Sequence, residues 1–153
     1  MHIFETKEFA EVTVQYKPNV KKEDRVKITK SQDAEKVFRA VFDFNGGIEH
    51  KEYFYTIFLN RANEVMGVNK ISEGGIGGTV VDPSIIFQAA ILVNAVGVLL
   101  CHNHPSGSLK PSDADINLTK KLKEGGKLLD IDVMDHLILS VDSFYSFTDN
   151  GLM

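Results

Sequence analysis

The sequence predicts one α/β domain, a mixed central β-sheet packed by helices, and three observations predict it. Strand-type and helix-type segments alternate along the chain in the order β-α-β-β-α-β-α-β-β. Two of the strand segments, 52–60 and 95–101, are almost wholly apolar, as strands covered on both faces must be. The chain has 153 residues, 43% hydrophobic and 25% charged, enough for one core and ordinary for a globular protein.

Composition narrows the function classes. A net charge of −4 argues against a whole-domain electrostatic grip on nucleic acid, though not against a local basic patch. One cysteine excludes an internal disulfide and points to a reducing, cytoplasmic setting. The opening residues, Met1-His2-Ile3-Phe4-Glu5-Thr6, lack the charged-then-apolar pattern of a signal peptide. The apolar runs near 85–100 are interrupted, so no membrane span is expected.

Each element has its own signal. In residues 11–16, Val12, Val14 and Tyr16 alternate with polar residues, which reads as a half-buried strand ended by Pro18 and Asn19. Residues 17–30 carry Lys17, Lys21, Lys22, Arg25, Lys27 and Lys30 against Glu23 and Asp24. That segment reads as a solvated connector, since no aromatic residues are interleaved for stacking, with DNA contact as the competing reading. The chain thus divides into an N-terminal strand and basic connector, 1–30, and a domain, 31–153.

Ser31 is placed to N-cap a helix with Asp33 and Glu35 in its first turn. Val37, Phe38, Val41 and Phe42 recur at helical spacing on its inner face, and Asn45-Gly46-Gly47 ends it. Arg61-Ala62-Asn63 reads as a hairpin turn into an antiparallel partner over 64–71. The glycine-rich segment 73–79 matches neither a P-loop nor G-x-G-x-x-G and reads as a pliable loop. Asp82 and Pro83 open a helix as N-cap and N1, and its all-round apolar composition predicts that it is buried. A helix from Ser112 carries Ile116, Leu118 and Leu122, with a soft spot at Gly125-Gly126. A strand over 131–140 contains His136, read as structural, and 144–147 forms a last short strand.

The chemistry concentrates in Cys101-His102-Asn103-His104-Pro105-Ser106-Gly107 and the following Ser112 and Asp115. His102 and His104 are two apart, so an extended backbone points both imidazoles the same way. Pro105 keeps His104 out of helical angles. Cys101 points oppositely, into the core, as a small hydrophobe. Asp115 falls three residues after Ser112, on the same face of the new helix. A His-x-His pair arises often by chance, and Ser-x-x-Asp at a helix start also resembles a capping box. Together they form a set of two imidazoles and one carboxylate. That set suits one zinc ion, with the fourth position left for water. Such a centre needs a general base; Glu52 at the start of the central strand competes with Glu49, Glu64 and Glu73.

These residues resemble the RadC branch of the JAB/MPN (JAMM) domains. The JAMM pattern is a distant Glu, His-x-His, seven residues, Ser, two residues, Asp, and here residues 105–111 supply the seven. Glu52-Tyr53-Phe54 resembles the Glu-x-Phe of the family's first core strand, Asp135-His136-Leu137-Ile138 its Asp-His-x-Ile strand, and Tyr145-Ser146-Phe147 its closing strand. The resemblance covers residues 31–151. It implies a JAB/MPN, cytidine-deaminase-like architecture. It implies zinc on His102, His104 and Asp115, Glu52 as general acid/base, and Ser112 as hydrogen-bond donor to the oxyanion. The implied activity is hydrolysis of peptide or isopeptide bonds in a peptide or protein substrate; the alternative is a DNA-repair-associated protein acting through DNA or protein binding. A homodimer is left open. Where the family often has Pro-Arg in the helix before the motif, this chain has Pro83-Ser84. A zinc nucleobase deaminase is largely set aside, because its H-x-E and P-C-x-x-C motifs are missing.

Overall fold

Five strands and three helices build the domain in the computed structural model, which describes residues 8, 10–44, 47–74 and 79–153. The strands are β1 (Tyr53–Leu59), β2 (Val65–Glu73), β3 (Gly97–Asn103), β4 (Asp132–Leu139) and β5 (Phe144–Ser146). They lie in one sheet in the order β2-β1-β3-β4-β5. β3 and β4 are parallel and the other pairs antiparallel, so the sheet is mixed. The parallel pair needs a crossover, and the helix α3 (Asp113–Leu128) supplies it. The other helices are α1 (Ser31–Phe44) and α2 (Pro83–Leu92).

The two apolar runs become the sheet's centre: all seven residues of β1 and all seven of β3 are buried. Side chains alternate between two cores. On one face α1 packs Ala34, Phe38 and Phe42 against Tyr55, Ile57, Leu99, Cys101 and Leu137. On the other, Ile86, Phe87 and Ala90 of α2 and Leu122 of α3 pack against Phe54, Phe58, Val98 and Leu100. Period-two alternation puts Cys101 in the first core, opposite His102, as expected. Its thiol is pushed well up by burial.

The turns follow their residues. Asn60 Oδ1 accepts from the N–H groups of Ala62 and Glu64, at 3.0 and 2.9 Å, and Asn63 takes a φ of 58° to close the β1–β2 hairpin. Asp82 caps α2 by accepting the Ser84 N–H at 2.9 Å, with Pro83 in the first turn.

The structure corrects four sequence expectations. Residues 11–16 form no strand, and Val12 and Val14 are 86% and 74% exposed. The alternation finds no partner, because Val26 and Lys27 pair with the start of β2 at Glu64 and Val65. Tyr16 docks, donating its hydroxyl to the Met66 carbonyl. Ser31 is the first residue of α1 rather than its cap; Asp33 caps from inside, accepting the N–H groups of Thr29 and Lys30. α2 is not buried all round: Ile85 and Ile91 are 42% and 54% exposed, because the helix touches the sheet with one stripe only. Gly125-Gly126 is no soft spot. Both lie inside α3, and a Cβ on Gly126 would stand 2.3 Å from the Ile131 carbonyl oxygen, so glycine permits the close approach of helix to chain. Of the expected glycine-rich loop and the end of the first helix, residues 75–78 and 45–46 lie outside the described residues.

No helix among the described residues is long and apolar enough to cross a membrane.

Candidate metal centre

β3 ends at the motif, and its carboxyl end beside β4 is where α/β sheets place ligands. His102 is the penultimate residue of the strand and is buried, its ring stacked on Phe54, the residue facing it on β1. The chain then turns through Pro105 and Ser106. The Gly107 N–H donates to the His104 carbonyl at 2.9 Å, and Gly107 takes a φ of 87° that an L side chain would resist. This turn folds the His104 ring back over the strand end, where His104 N–H donates to the Leu139 carbonyl.

The opposing wall is the first turn of α3. Ser112 and Asp115 do form a capping box. The carboxylate is thereby held beside the histidines: Asp115 Oδ1 lies 3.3 Å from His102 Nε2, and Oδ2 3.5 Å from His104 Nε2. The two Nε2 atoms are 2.9 Å apart. His102, His104 and Asp115 each offer one ligand atom, all within 4.8 Å of one another, and together they can hold a metal ion.

The donor chemistry fits a cation. His104 Nδ1 lies 2.7 Å from the Ser108 carbonyl, which can only accept, so Nδ1 carries the proton and the neutral ring's Nε2 lone pair is bare. That lone pair faces a second imidazole nitrogen and a carboxylate, an arrangement that repels itself unless positive charge enters. In the metal-free chain protons serve. Hydrogen bonding to Asp115 raises the His104 pKa despite burial. Burial pushes the Asp115 carboxyl up, but the neighbouring His102 and His104 imidazoles and the hydrogen bond from the Ser112 N–H outweigh it and hold the group far below the usual carboxylate range. The N, N, O set suits zinc, and three protein ligands leave a fourth position.

Among the four glutamates weighed from the sequence, Glu52 is half-buried and feels the charges of His102, His104 and Asp115. Its pKa is raised, first by burial and also by Asp115, against the lowering influence of His102 and His104. Glu49 is exposed; Glu64 serves the hairpin, accepting from Asn60 Nδ2; Glu73 pairs with Lys51 and Lys70. Asn103, the residue between the two histidines, clamps the backbone on both sides of Glu52. Its Nδ2 donates to the Ile48 and Lys51 carbonyls at 2.6 and 2.9 Å, and its Oδ1 accepts the Tyr53 N–H at 2.7 Å. Ser112 Oγ accepts the Asp115 N–H at 3.1 Å, which leaves its own hydroxyl proton available to donate.

Sequence reasoning missed three residues. Asn103 stands in the sequence only as the middle residue of His-x-His. Thr119 was not singled out. His136, read as structural, lies with Nε2 2.7 Å from His102 Nδ1 and Nδ1 2.7 Å from Thr119 Oγ1. The signal for His136 was weak: Leu100 pairs with His136 in the β3–β4 register, which puts His136 on the His102 face, but nothing local to residue 136 sets that register.

Fold and site together define a class: an α/β domain with a His-His-Asp group that can hold a metal ion at the carboxyl end of a central strand. The chain belongs to the RadC-like JAB domain family, whose model matches residues 28–152. It is 44% identical over 126 residues to a UPF0758 protein of Flavobacterium johnsoniae, covering 82% of this chain and 53% of that protein. A UPF0758 protein of Clostridium acetobutylicum is 37% identical over 131 residues, covering 85% of this chain and 55% of the relative. A third, from Geotalea uraniireducens, is 43% identical over 103 residues, 67% of this chain and 45% of its own length. The chain spans about half the length of the curated relatives it matches.

Proposed function

We propose that the domain is a zinc-dependent hydrolase of the JAMM type, acting on peptide or isopeptide bonds of a protein substrate. The observation that carries this reading is the meeting of two imidazole Nε2 atoms 2.9 Å apart with an Asp115 oxygen 3.3 Å from the first and another 3.5 Å from the second. A zinc ion bound by His102, His104 and Asp115 supplies Lewis acidity toward a carbonyl and toward attacking water. Glu52, its proton affinity raised by burial, takes the proton from the water and returns it to the leaving amine. Asn103 keeps the Glu52 backbone in place while the proton moves. Ser112 donates its hydroxyl proton to the developing oxyanion. The one cysteine of the chain is a buried free thiol, which fits a reducing, cytoplasmic setting.

The test is metal content in zinc-replete protein, comparing the parent with His104→Ala. One zinc per parent chain, lost in the variant, supports the reading and licenses a screen of peptide and isopeptide substrates with Glu52→Gln as the control. No zinc in either overturns it and moves binding functions ahead of catalysis.

A further inference from the structure

We propose that Thr119 and His136 set the tautomer of His102, so that its Nε2 meets a metal as a bare lone pair; the inference rests on the zinc reading above. The argument is an accounting of protons in a space sealed from water, where His102, Thr119 and His136 are 1%, 2% and 0% exposed.

It starts at an atom that cannot donate. Thr119 Oγ1 lies 2.7 Å from the Asp115 backbone carbonyl, one helical turn earlier in α3. Two oxygens that close need a hydrogen between them, and a carbonyl has none, so the Thr119 hydroxyl donates its single proton there. Thr119 Oγ1 is then an acceptor toward His136 Nδ1 at 2.7 Å, and Nδ1 carries a proton. His136 is packed against the Phe54 and Phe147 rings, and its two nitrogens face Thr119 Oγ1 and His102 Nδ1, with no carboxylate among the described residues bonded to them to balance a buried charge, so the ring is neutral and its Nε2 is bare and accepts. The atom opposite, His102 Nδ1 at 2.7 Å, must therefore donate. A neutral His102 with its proton on Nδ1 has its lone pair on Nε2, facing His104 and Asp115.

The opposite polarity would leave the Thr119 and Asp115 oxygens 2.7 Å apart with no proton between them. Ring packing prevents the imidazoles from swapping atoms: Phe54 stacks on His102, and Phe147 stacks on His136 at 4.7 Å. The relay begins at the backbone of one ligand, Asp115, and ends at the ring of another, His102, so α3, β4 and β3 together fix the metal-facing tautomer. His104 needs no such relay, since the Ser108 carbonyl sets it locally.

Two measurements test this on the full chain. Long-range proton–nitrogen correlation spectra of the metal-free protein, above neutral pH, should show both His102 and His136 protonated on Nδ1. A proton on His102 Nε2 would overturn the inference, whatever the protein's zinc content. Zinc affinity by chelator competition should fall about 10- to 100-fold in Thr119→Val, as for loss of an outer partner of a metal ligand, while Thr119→Ser stays near the parent. A folded Thr119→Val with parental affinity would also overturn it. A parent that binds no zinc would instead sink the zinc reading, and the spectra would still decide the tautomers.

Discussion

Ser112 and Asp115 hold each other twice: the Asp115 N–H donates to Ser112 Oγ at 3.1 Å, and the Ser112 N–H donates to Asp115 Oδ2 at 2.8 Å. One carboxylate thus closes the first turn of α3 and turns toward the histidines. Helix capping and ligand positioning are one act, and substitutions should separate them. Ser112→Ala removes the cap acceptor and should cost about 1 kcal/mol while zinc remains bound. Asp115→Asn keeps an oxygen for the Ser112 N–H but loses the charge, so zinc should be lost with a smaller change in stability. Thermal unfolding of the metal-free proteins and metal analysis of the loaded ones check both.

Glu52→Gln keeps the size of the side chain and removes its basicity. Bound zinc should be unchanged, and hydrolysis of any substrate found should fall about a hundred- to ten-thousand-fold. Single-turnover rates against metal content distinguish this from a loss of zinc.

Asn103→Ala should harm stability more than a change at an exposed residue. It strips partners from the Ile48 and Lys51 carbonyls and the Tyr53 N–H at a position with no solvent access. An unpaired buried group costs about 1–3 kcal/mol. A loss on the order of 3 kcal/mol in urea unfolding is expected, since water entering the vacated space recovers part of the total.

The two neighbouring glycines of α3 should respond differently to alanine. At Gly126 the new Cβ meets a backbone oxygen, and overpacking of about 1–3 kcal/mol is expected. At Gly125 it meets the Phe87 ring at 3.1 Å, a side chain that can shift, and the helix-propensity gain of up to about 1 kcal/mol offsets the strain. Chemical unfolding should therefore rank Gly125→Ala near the parent and Gly126→Ala well below it.

Acid should loosen the helix starts. Hydrogen bonds from the Thr29 backbone and hydroxyl hold the Asp33 carboxyl below its ordinary value of 3.8. Those from the Ser84 hydroxyl and backbone do the same for Asp82. A carboxylate whose pKa is lower folded than unfolded adds stability that is full above the ordinary value and is lost as pH falls through the folded one. Melting temperature should drop as pH goes below 3.8, and Asp33→Asn with Asp82→Asn, which still accept but do not titrate, should flatten that drop.

What could be read from the chain alone was local. His102, His104, Ser112 and Asp115 lie within one strand, turn and helix start, so period two and the capping pattern brought their geometry within reach. The buried pair β1 and β3, the Asn60–Glu64 hairpin and the Asp82-Pro83 helix start were legible for the same reason: each depends on residues a few positions apart.

Only the tertiary structure decided what depends on register between distant segments. The β1–β3 pairing set Phe54, two residues after Glu52, opposite His102, and the β3–β4 register turned His136 from a strand residue into a partner of His102. The layer geometry left part of α2 uncovered, and pairing of Val26 and Lys27 with the start of β2 left the alternating residues 11–16 without a strand partner. Side-chain periodicity states which face a residue occupies within its own element; it does not state which element will lie against that face, because that choice is made by the packing energy of the whole core.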